Sequence, residues 1–558
     1  MGSDILSIGT SGLAAFQRGL STTGHNIANA GTEGYSRQRV DLNTRAPQFA
    51  GNAYIGKGVE VGGVNRVFDQ FVENQLRTAT SASAQSSVFH DHAKRVDSLL
   101  ANADSGLAVG LQRFFAAAQD VATDPTSVPA RQVMIAEAES LTGRFASLHE
   151  QLDGQRTRVN GQVETTVNEI NGIAESLAEV NAGIVAATGR GGGAAPNDLL
   201  DQRDRLVREL AEHVNVTTVP QDDGALNVFV GNGQSLVIGS NASELVARPL
   251  GEDPLQVGVG LAGSGGSVTD IGRFLTGGRL GALLEVRGSL LDRAQNDLGL
   301  IAQGLAREFN AQHAEGRDLN GEQGGDFFRA PAVEVRGSGS GSLPGVTIDD
   351  VGELTADDYR LRFNAGAGED GRWELRSISG NRLVGESDPG NALVAAGLNI
   401  DTSDLDQGES FLIRPTRNAA AQIGIAIGDP RSIAAAEWNE DDAADAATPI
   451  PVGDNRNALK LAGLQDARFL SGGTTSLEGS YNAMIGEVGT RTRQAEVSAQ
   501  AQSRLLDEAR NQRESVSGVN LDEEAANLLR YQQAYQAAAQ VIAVSGTLFD
   551  TLLGAVRR

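Results

Sequence analysis

The sequence predicts a mixed α and β protein: a long helical, coiled-coil frame formed by both chain ends, with an inserted β-rich outer domain. Three observations lead there. Near the N-terminus Leu6, Leu13, Leu20 and Ile27 recur by sevens, with Phe16 and Thr23 between them. Near the C-terminus Leu521, Leu528, Tyr535, Ile542, Phe549 and Val556 recur by sevens, with Tyr531, Ala538, Ser545 and Leu552 at the intermediate positions. Sustained heptads of this kind call for a helical partner, and each end is the obvious candidate for the other. Between them, helical periodicity is twice broken by β-branched runs and Gly-containing turns.

The first helix is expected to be capped by Ser3, with Asp4 in its first turn, where a negative charge suits the helix dipole. It is about 39 Å long at 1.5 Å per residue. Asn29 and Gly31 are its expected stop, because both tolerate the left-handed conformation. Beyond Tyr35, the residues Gln38, Val40 and Leu42 alternate with Arg37, Arg39 and Asp41, the pattern of a strand.

From about Pro129 to Ala187, apolar residues return at three–four spacing: Leu141, Phe145, Leu148, Leu152, Val159, Val163, Ile170, Ile173, Leu177 and Ile184. Gly143, Gly154, Gly161 and Gly172 each weaken that helix by roughly 1 kcal/mol relative to Ala, so it needs neighbours. "GRGGGAAPND" makes a loop, and Asn197 or Asp198 caps the helix "LLDQRDRLVRELAEHV", giving an αα-hairpin. From Asn215, "VNVTTVPQDDGALNVFVGNGQSLVIG" carries hairpin signals. Helical periodicity resumes over Gly281–His313. A second β-rich stretch follows, roughly Pro331–Pro430, with "YRLRF" and "WELRSI" as its clearest strands. "EWNEDDAADAATP" is an acidic linker, and an interrupted helix runs from near Asn457 to Ser515. In the last helix Asn520 caps, Asp522, Glu523 and Glu524 fill the first turn, and Arg557 and Arg558 close the end.

These segments divide the chain into four parts. Residues 1–35 and 520–558 form a terminal coiled-coil inner domain. Residues 36–215, 281–330 and 456–519 form a helical frame domain. Residues 216–280 and 331–435 form the β-rich outer domain, and 436–455 is the acidic linker.

Composition narrows the function. The chain has 558 residues, a formal net charge of −25, 40% hydrophobic and only 4% aromatic residues. Several units with aliphatic cores are expected. The acidity argues against a nucleic-acid partner, whose phosphates need clustered Lys and Arg. There is no cysteine, which excludes zinc–thiolate sites, thiol catalysis and disulfides, and suits a chain that enters an oxidising environment unfolded. The first residues do not form a secretory signal, because Asp4 stands in place of a basic region and Arg18 interrupts the apolar core. No run of 18 apolar residues exists, so no membrane insertion is expected.

No catalytic constellation emerges. His90 and His92 flank Asp91, but residues two apart on a helix do not share a face, so no metal site is expected there. H-E-x-x-H, G-x-S-x-G and the Walker loop are absent. Asp318–Asp326 lacks the acidic ladder of a calcium loop and reads as a polar turn. "GSGSGS" at Gly337–Ser342 has linker composition. No enzyme, cofactor or metal is expected.

"NIANAGTEGYSRQRV" resembles the N-terminal signature shared by flagellar rod, hook and hook-associated axial proteins; Asn26, Ile27, Ala28, Asn29, Gly34 and Tyr35 carry it. The "SRQ" after the tyrosine is similar to the FlgK family of first hook-associated proteins. So are "PNDLLDQRDRLVREL", "GDNRNALKLAGLQ" and "SGVNLDEEAANLLRYQQAYQAAAQVI". Glu33 stands where the family usually has proline, and Gly31 where asparagine is common; both fall in the turn. The resemblance implies a non-enzymatic structural adaptor joining hook to filament. It implies export unfolded through the flagellar export apparatus, and a helical ring of subunits outside the cell. The implied partners are further copies in a helical lattice, the hook protein, the next hook-associated junction protein, and an export chaperone at the C-terminal helix. The assembly seam would be Leu6, Leu13, Phe16, Leu20, Ile27, Leu521, Leu528, Tyr531, Tyr535, Ile542, Phe549 and Leu552. The alternative is an axial surface protein whose β-rich insertion serves as an adhesin or hydrolase.

Overall fold

The computed structural model describes residues 2–50, 53–102, 106–190, 194–263, 265–339, 341–367, 371–438 and 453–556. Most of the acidic linker, Arg557, Arg558 and the side chains of Ser3, Asp4 and Leu552 lie outside the described residues.

Helix α1 spans Gly2–Ala28, so Ser3 lies inside it rather than capping it. A turn leads into β1 (Gln38–Thr44), β2 (Gln48–Ala50), β3 (Ala53–Ile55) and β4 (Val59–Arg66). β1 and β4 pair antiparallel from Gln38↔Arg66 to Thr44↔Val59, with a register shift between Asp41 and Leu42, and β2–β3 continue the hairpin to its tip. This hairpin packs along α1. Residues 38–66 thus form a β arm on the terminal helix, starting with the strand expected after Tyr35.

The helical body contains α2 (Gln70–Leu100), α3 (Leu107–Thr123), α4 (Val128–Arg190) and α5 (Asn197–His213). At 63 residues, α4 is about 95 Å long. Its inward line includes Leu141, Phe145, Leu148, Leu152, Val159, Val163, Ile170, Leu177 and Ile184. Its glycines at 143, 154, 161 and 172 face open space. Next come α6 (Gly278–Glu285), a π turn (Val286–Leu291) and α7 (Asp292–Ala314), so the helical run read over 281–313 is interrupted by one wide turn. The later helices are α8 (Ala419–Gln422), α9 (Arg456–Gly463), α10 (Leu477–Ser517) and α11 (Leu521–Val556).

The first β insertion holds a four-stranded sheet, β5 (Val216–Pro220), β6 (Leu226–Val230), β7 (Gln234–Ile238) and β8 (Asn241–Ala242). A three-stranded sheet follows in the order β11 (Val268–Asp270), β10 (Val257–Ala262), β9 (Leu245–Pro249). Both lie on α4. Two short pairs, β12 (Gly316–Arg317) with β23 (Ala436–Glu437) and β13 (Phe328–Arg329) with β22 (Gly424–Ile425), flank the second insertion. Its five-stranded sheet runs β14 (Glu334–Gly337), β21 (Ser410–Arg414), β16 (Tyr359–Asn364), β17 (Arg372–Ser377), β18 (Leu383–Ser387). A small sheet of β15 (Val346–Ile348), β20 (Leu398–Ile400) and β19 (Leu393–Ala395) completes it.

Two devices tie the insertions to the body. The scarce aromatics concentrate: Phe114 packs within 5.2–6.0 Å, centroid to centroid, of Phe115, Phe309, Phe327 and Phe328. A buried ionic knot joins Arg156 of α4 to Asp253 at 3.1 Å, Arg414 of β21 to the same carboxylate, and Arg417 to both Asp292 and Asp358. Burial disfavours the charge on Arg417, but Asp292 and Asp358 outweigh it and raise its pKa. Removing one partner from such a knot leaves an uncompensated buried charge.

Candidate functional site: the terminal helix pair and its junction

α1 and α11 run antiparallel along each other. A Cβ placed on Gly9 would lie 2.8 Å from Ile542 Cγ1, one on Gly12 3.8 Å from Ala538, and one on Gly19 2.9 Å from the Tyr531 ring. Asn26 reaches Glu524 at the other end. The inner face of α1 is therefore Gly9, Gly12, Gly19 and Asn26, with Phe16 and Thr23 on the same face by spacing. Side-chain size sets how closely helices approach, and glycine allows the Tyr531 ring to lie on the backbone.

This shifts the expected pairing on α1. Leu13, Leu20 and Ile27 each follow an inner-face residue by one position, about 100° around the helix. Leu13 and Leu20 are half-buried, Ile27 is exposed, and Leu6 is 42% exposed. On α11, Leu528, Tyr531, Tyr535 and Ile542 are half-buried on the side of Ala538 and Ser545, which are buried, whereas Leu521 and Phe549 are exposed. The heptad on α11 therefore meets a line of small residues, and the leucines of α1 form a separate apolar flank.

The pair is fastened to the body at one polar node. Asn26 is buried and uses all four of its hydrogen-bonding positions. Its Oδ1 accepts from the Tyr35 hydroxyl at 2.7 Å and from Gln38 N at 2.9 Å. Its Nδ2 donates to Gln38 O at 2.9 Å and Glu524 Oε2 at 3.2 Å. Only an amide supplies both donors and acceptors here. An aspartate would lose both donations and face Glu524 with a like charge. Burial, with Asp198, Asp201 and Glu524 nearby, raises the Tyr35 pKa and keeps the hydroxyl a donor.

The turn that carries Tyr35 is closed by its neighbours. Asn29 Nδ2 donates to His25 O at 3.0 Å at the helix end. The left-handed residue is Gly34 (φ 81°), not Asn29 or Gly31. A Cβ on Gly34 would also sit 2.6 Å from Arg208 Nη2, a contact that this flexible side chain would have to yield; the positive φ is what calls for glycine. Ile27 and Ala28 are exposed. Ser36 N donates to Asp201 Oδ2 at 3.0 Å, and Arg66 bridges Asp201 at 2.9 Å and Asp204 at 2.7 Å. Asn197 Nδ2 donates to Val64 O, and Gln38 Nε2 to Asp198 Oδ1. From the other side Arg513 Nη2 donates to Tyr35 O at 2.9 Å, Arg37 N to Ser517 O at 2.8 Å, and Arg37 pairs with Glu523 at 2.7 Å.

Three segments far apart in sequence, 26–38, 197–204 and 513–524, thus meet at one place. The first two, and the third from Ser517 onward, belong to motifs singled out above. Arg208 also lies in the second of these motifs, whereas Arg66 and Arg513 complete the node and were not singled out, because a lone arginine carries no periodic signal.

Two of the other polar candidates, His92 and Asp318, are occupied locally. His92 Nε2 lies 3.0 Å from Gln162 Oε1. The Asp318 carboxylate accepts from Asn320 N and Glu322 N, closing a turn. Among the described residues, no group of three or more His, Asp or Glu could hold a metal ion, and no helix is long and apolar enough to cross a membrane.

Comparison with known proteins places this architecture. Residues 93–328 match the helical domain of flagellar hook-associated protein FlgK. Residues 6–35 match the flagella basal body rod protein family, and 510–555 the C-terminal region of the basal body rod FlgEFG proteins. Flagellar hook-associated protein 1 of Escherichia coli K12 is 34% identical over 99% of both chains. Its counterpart in Salmonella typhimurium LT2 is 35% identical, again over 99% of each, and that of Bacillus subtilis 168 is 25% identical over 97% of this chain and 96% of its own. The fold matches the flagellar hook junction protein FlgK from Burkholderia pseudomallei with a TM-score of 0.72, at 24% identity, covering 80% of this chain and 100% of that one. The chain belongs to the flagellar hook-associated protein 1, or FlgK, family.

Proposed function

We propose that this protein is a non-enzymatic structural adaptor that joins the flagellar hook to the filament. Its copies form a helical ring outside the cell, after export unfolded through the flagellar apparatus. Full-length similarity to hook-associated protein 1 supports the placement. The observation that carries the mechanism is the terminal pair: two long helices whose inner contact uses small residues, leaving Leu6, Ile27, Leu521 and Phe549 exposed. An apolar flank of this length has no use in an isolated subunit, whereas neighbouring copies would bury it. In this reading 1–35 and 520–558 form the inner layer, and the node fixes the angle at which the body leaves it. The hook protein and the next hook-associated junction protein would meet opposite ends of the ring. Before export, the stripe of Leu528, Tyr535 and Ile542 offers an amphipathic helix to a chaperone groove.

The test is Ile542→Asp. Ile542 lies against Gly9, and an unpartnered carboxylate there costs several kcal/mol or drives the helices apart. The expected phenotype is hooks without filaments, with flagellin in the medium and the variant at normal levels. Gln536, exposed on the outer side, should tolerate Ala. Normal filaments on Ile542→Asp cells would refute the seam.

A further inference from the structure

We propose that the aromatic tip of the β1–β4 hairpin is a plug that seats in the groove between α2 and α10 of a second copy. The proposal rests on the assembly reading and names one of its contacts.

The tip is built to meet something. Phe49 and Tyr54 are 60% and 74% exposed, yet their rings pack edge-on at 5.2 Å, so they present one apolar knob. Large aromatics held this way carry much of the energy of protein contacts. The hairpin is anchored to α1 low on the pair: Gly58 lies on Ile8 and Ser11, and Val59 N donates to Ser11 Oγ at 3.3 Å. Ile8 is about 27 Å of helix away from Asn26 and the node.

The groove opens on the other side of the node, where α2 leaves it. It has a volume of about 520 Å³ and is walled by Phe71, Ala79, Leu505 and Glu508 among others. Phe71 is 73% and Leu505 56% exposed, and a small buried apolar cluster on the same two helices joins Leu76, Leu506 and Ala509. Charge is complementary. Residues 42–59 contain Arg45 and Lys57 and no acid, whereas Glu508 is the charged wall residue of the groove.

Plug and groove are different surfaces held apart within one subunit. Their contact is therefore heterologous and propagates from copy to copy instead of closing a dimer.

The chain has no cysteine, which allows a clean cross-linking test. Two differently tagged copies, one Tyr54→Cys and one Leu505→Cys, are co-expressed in cells lacking the native protein. Isolated hook–filament structures are then oxidised. A disulfide-linked species bearing both tags, absent when either variant is expressed alone, is the expected result. Flagella that contain both chains but yield no mixed species overturn the plug and leave the adaptor reading standing, as does self-linkage of Tyr54→Cys alone. Absence of both chains from the isolated structures refutes the adaptor reading and the plug together. In a second arm, Glu508→Lys should lower the number of attached filaments at least tenfold, and Lys57→Glu in the same chain should restore it. No loss with Glu508→Lys, or loss without rescue, counts against the proposal.

Discussion

Helices α1 and α4 both carry several glycines and a long apolar stripe, and they use them in opposite ways. In α4 the stripe faces inward and is fully buried from Leu141 to Leu177, while Gly143, Gly154, Gly161 and Gly172 look into open space. In α1, Gly9, Gly12 and Gly19 face inward, against Val541, Ile542, Ala538 and Tyr531, with Gly24 open, while Leu6 and Ile27 are exposed. One helix is complete inside its own chain. The other is packed tightly along one line and unfinished along another. On the proposed assembly, the difference would separate a body that folds alone from an end whose stability belongs to the assembly.

The comparison breaks most plainly at Phe145, a fully buried aromatic of the α4 stripe. Phe145→Ala should cost about 3–5 kcal/mol, the usual toll of an aromatic cavity. A loss of that size in the unfolding free energy of the body, read from its denaturant transition, is expected, whereas a loss below about 1 kcal/mol would mean that the stripe relaxes around the gap.

Gly19→Leu should come next. The new Cβ would meet the Tyr531 ring, and overpacking of this kind costs about 1–3 kcal/mol. The cost falls on the terminal pair alone. Amide exchange in α1 and α11 should accelerate while the melting of the body stays put. Unchanged exchange would show that the helices are not held by this close approach.

The asymmetry explains what could be read in advance. The heptad of α11 announces itself, because Leu528, Tyr535 and Ile542 are large and regular. Its mate on α1 is a line of glycines, and a search for apolar knobs picks Leu13 and Leu20 instead. The strand at Val40 and Leu42 was legible from alternation. Its partner β4, "VEVGGVNR", was not, since Gly62 and Gly63 interrupt the alternation beside the register shift. The motifs carried Asn26, Tyr35 and Asp201 to the node. Arg66 and Arg513 enter it only through tertiary geometry, and the π turn at Val286–Leu291 likewise had no signal in the spacing.

A smaller effect of opposite sign is expected at the outward glycines. Nothing lies within 4 Å of a Cβ added to Gly161. Gly161→Ala removes backbone freedom from the unfolded chain and should stabilise the body by about 0.5–1 kcal/mol. Introducing Ala at Gly154 as well should nearly double the gain, because distant sites add. The same substitution at Gly9 should destabilise the pair, since its Cβ would press on Ile542. A rise in the midpoint with Gly9→Ala would dissolve the distinction between the two helices.

The smallest effect on the monomer is expected at Leu6. Its side chain lies on the outer flank of α1 and is 42% exposed, so little apolar area returns to water when it is trimmed. Leu6→Ala should therefore move monomer stability by no more than about 0.5 kcal/mol, as surface substitutions do. In the assembled ring the same residue would be enclosed by neighbouring copies, and each copy would lose its share of that contact. The measurement is a pair: the unfolding midpoint of the purified monomer, and the shear force or temperature at which filaments detach from hooks. An unchanged midpoint with earlier detachment is the signature of a flank completed by assembly. If both readings stay at the wild-type value, the leucine flank is not buried between subunits, and the contact that completes α1 must be sought on another face of the pair.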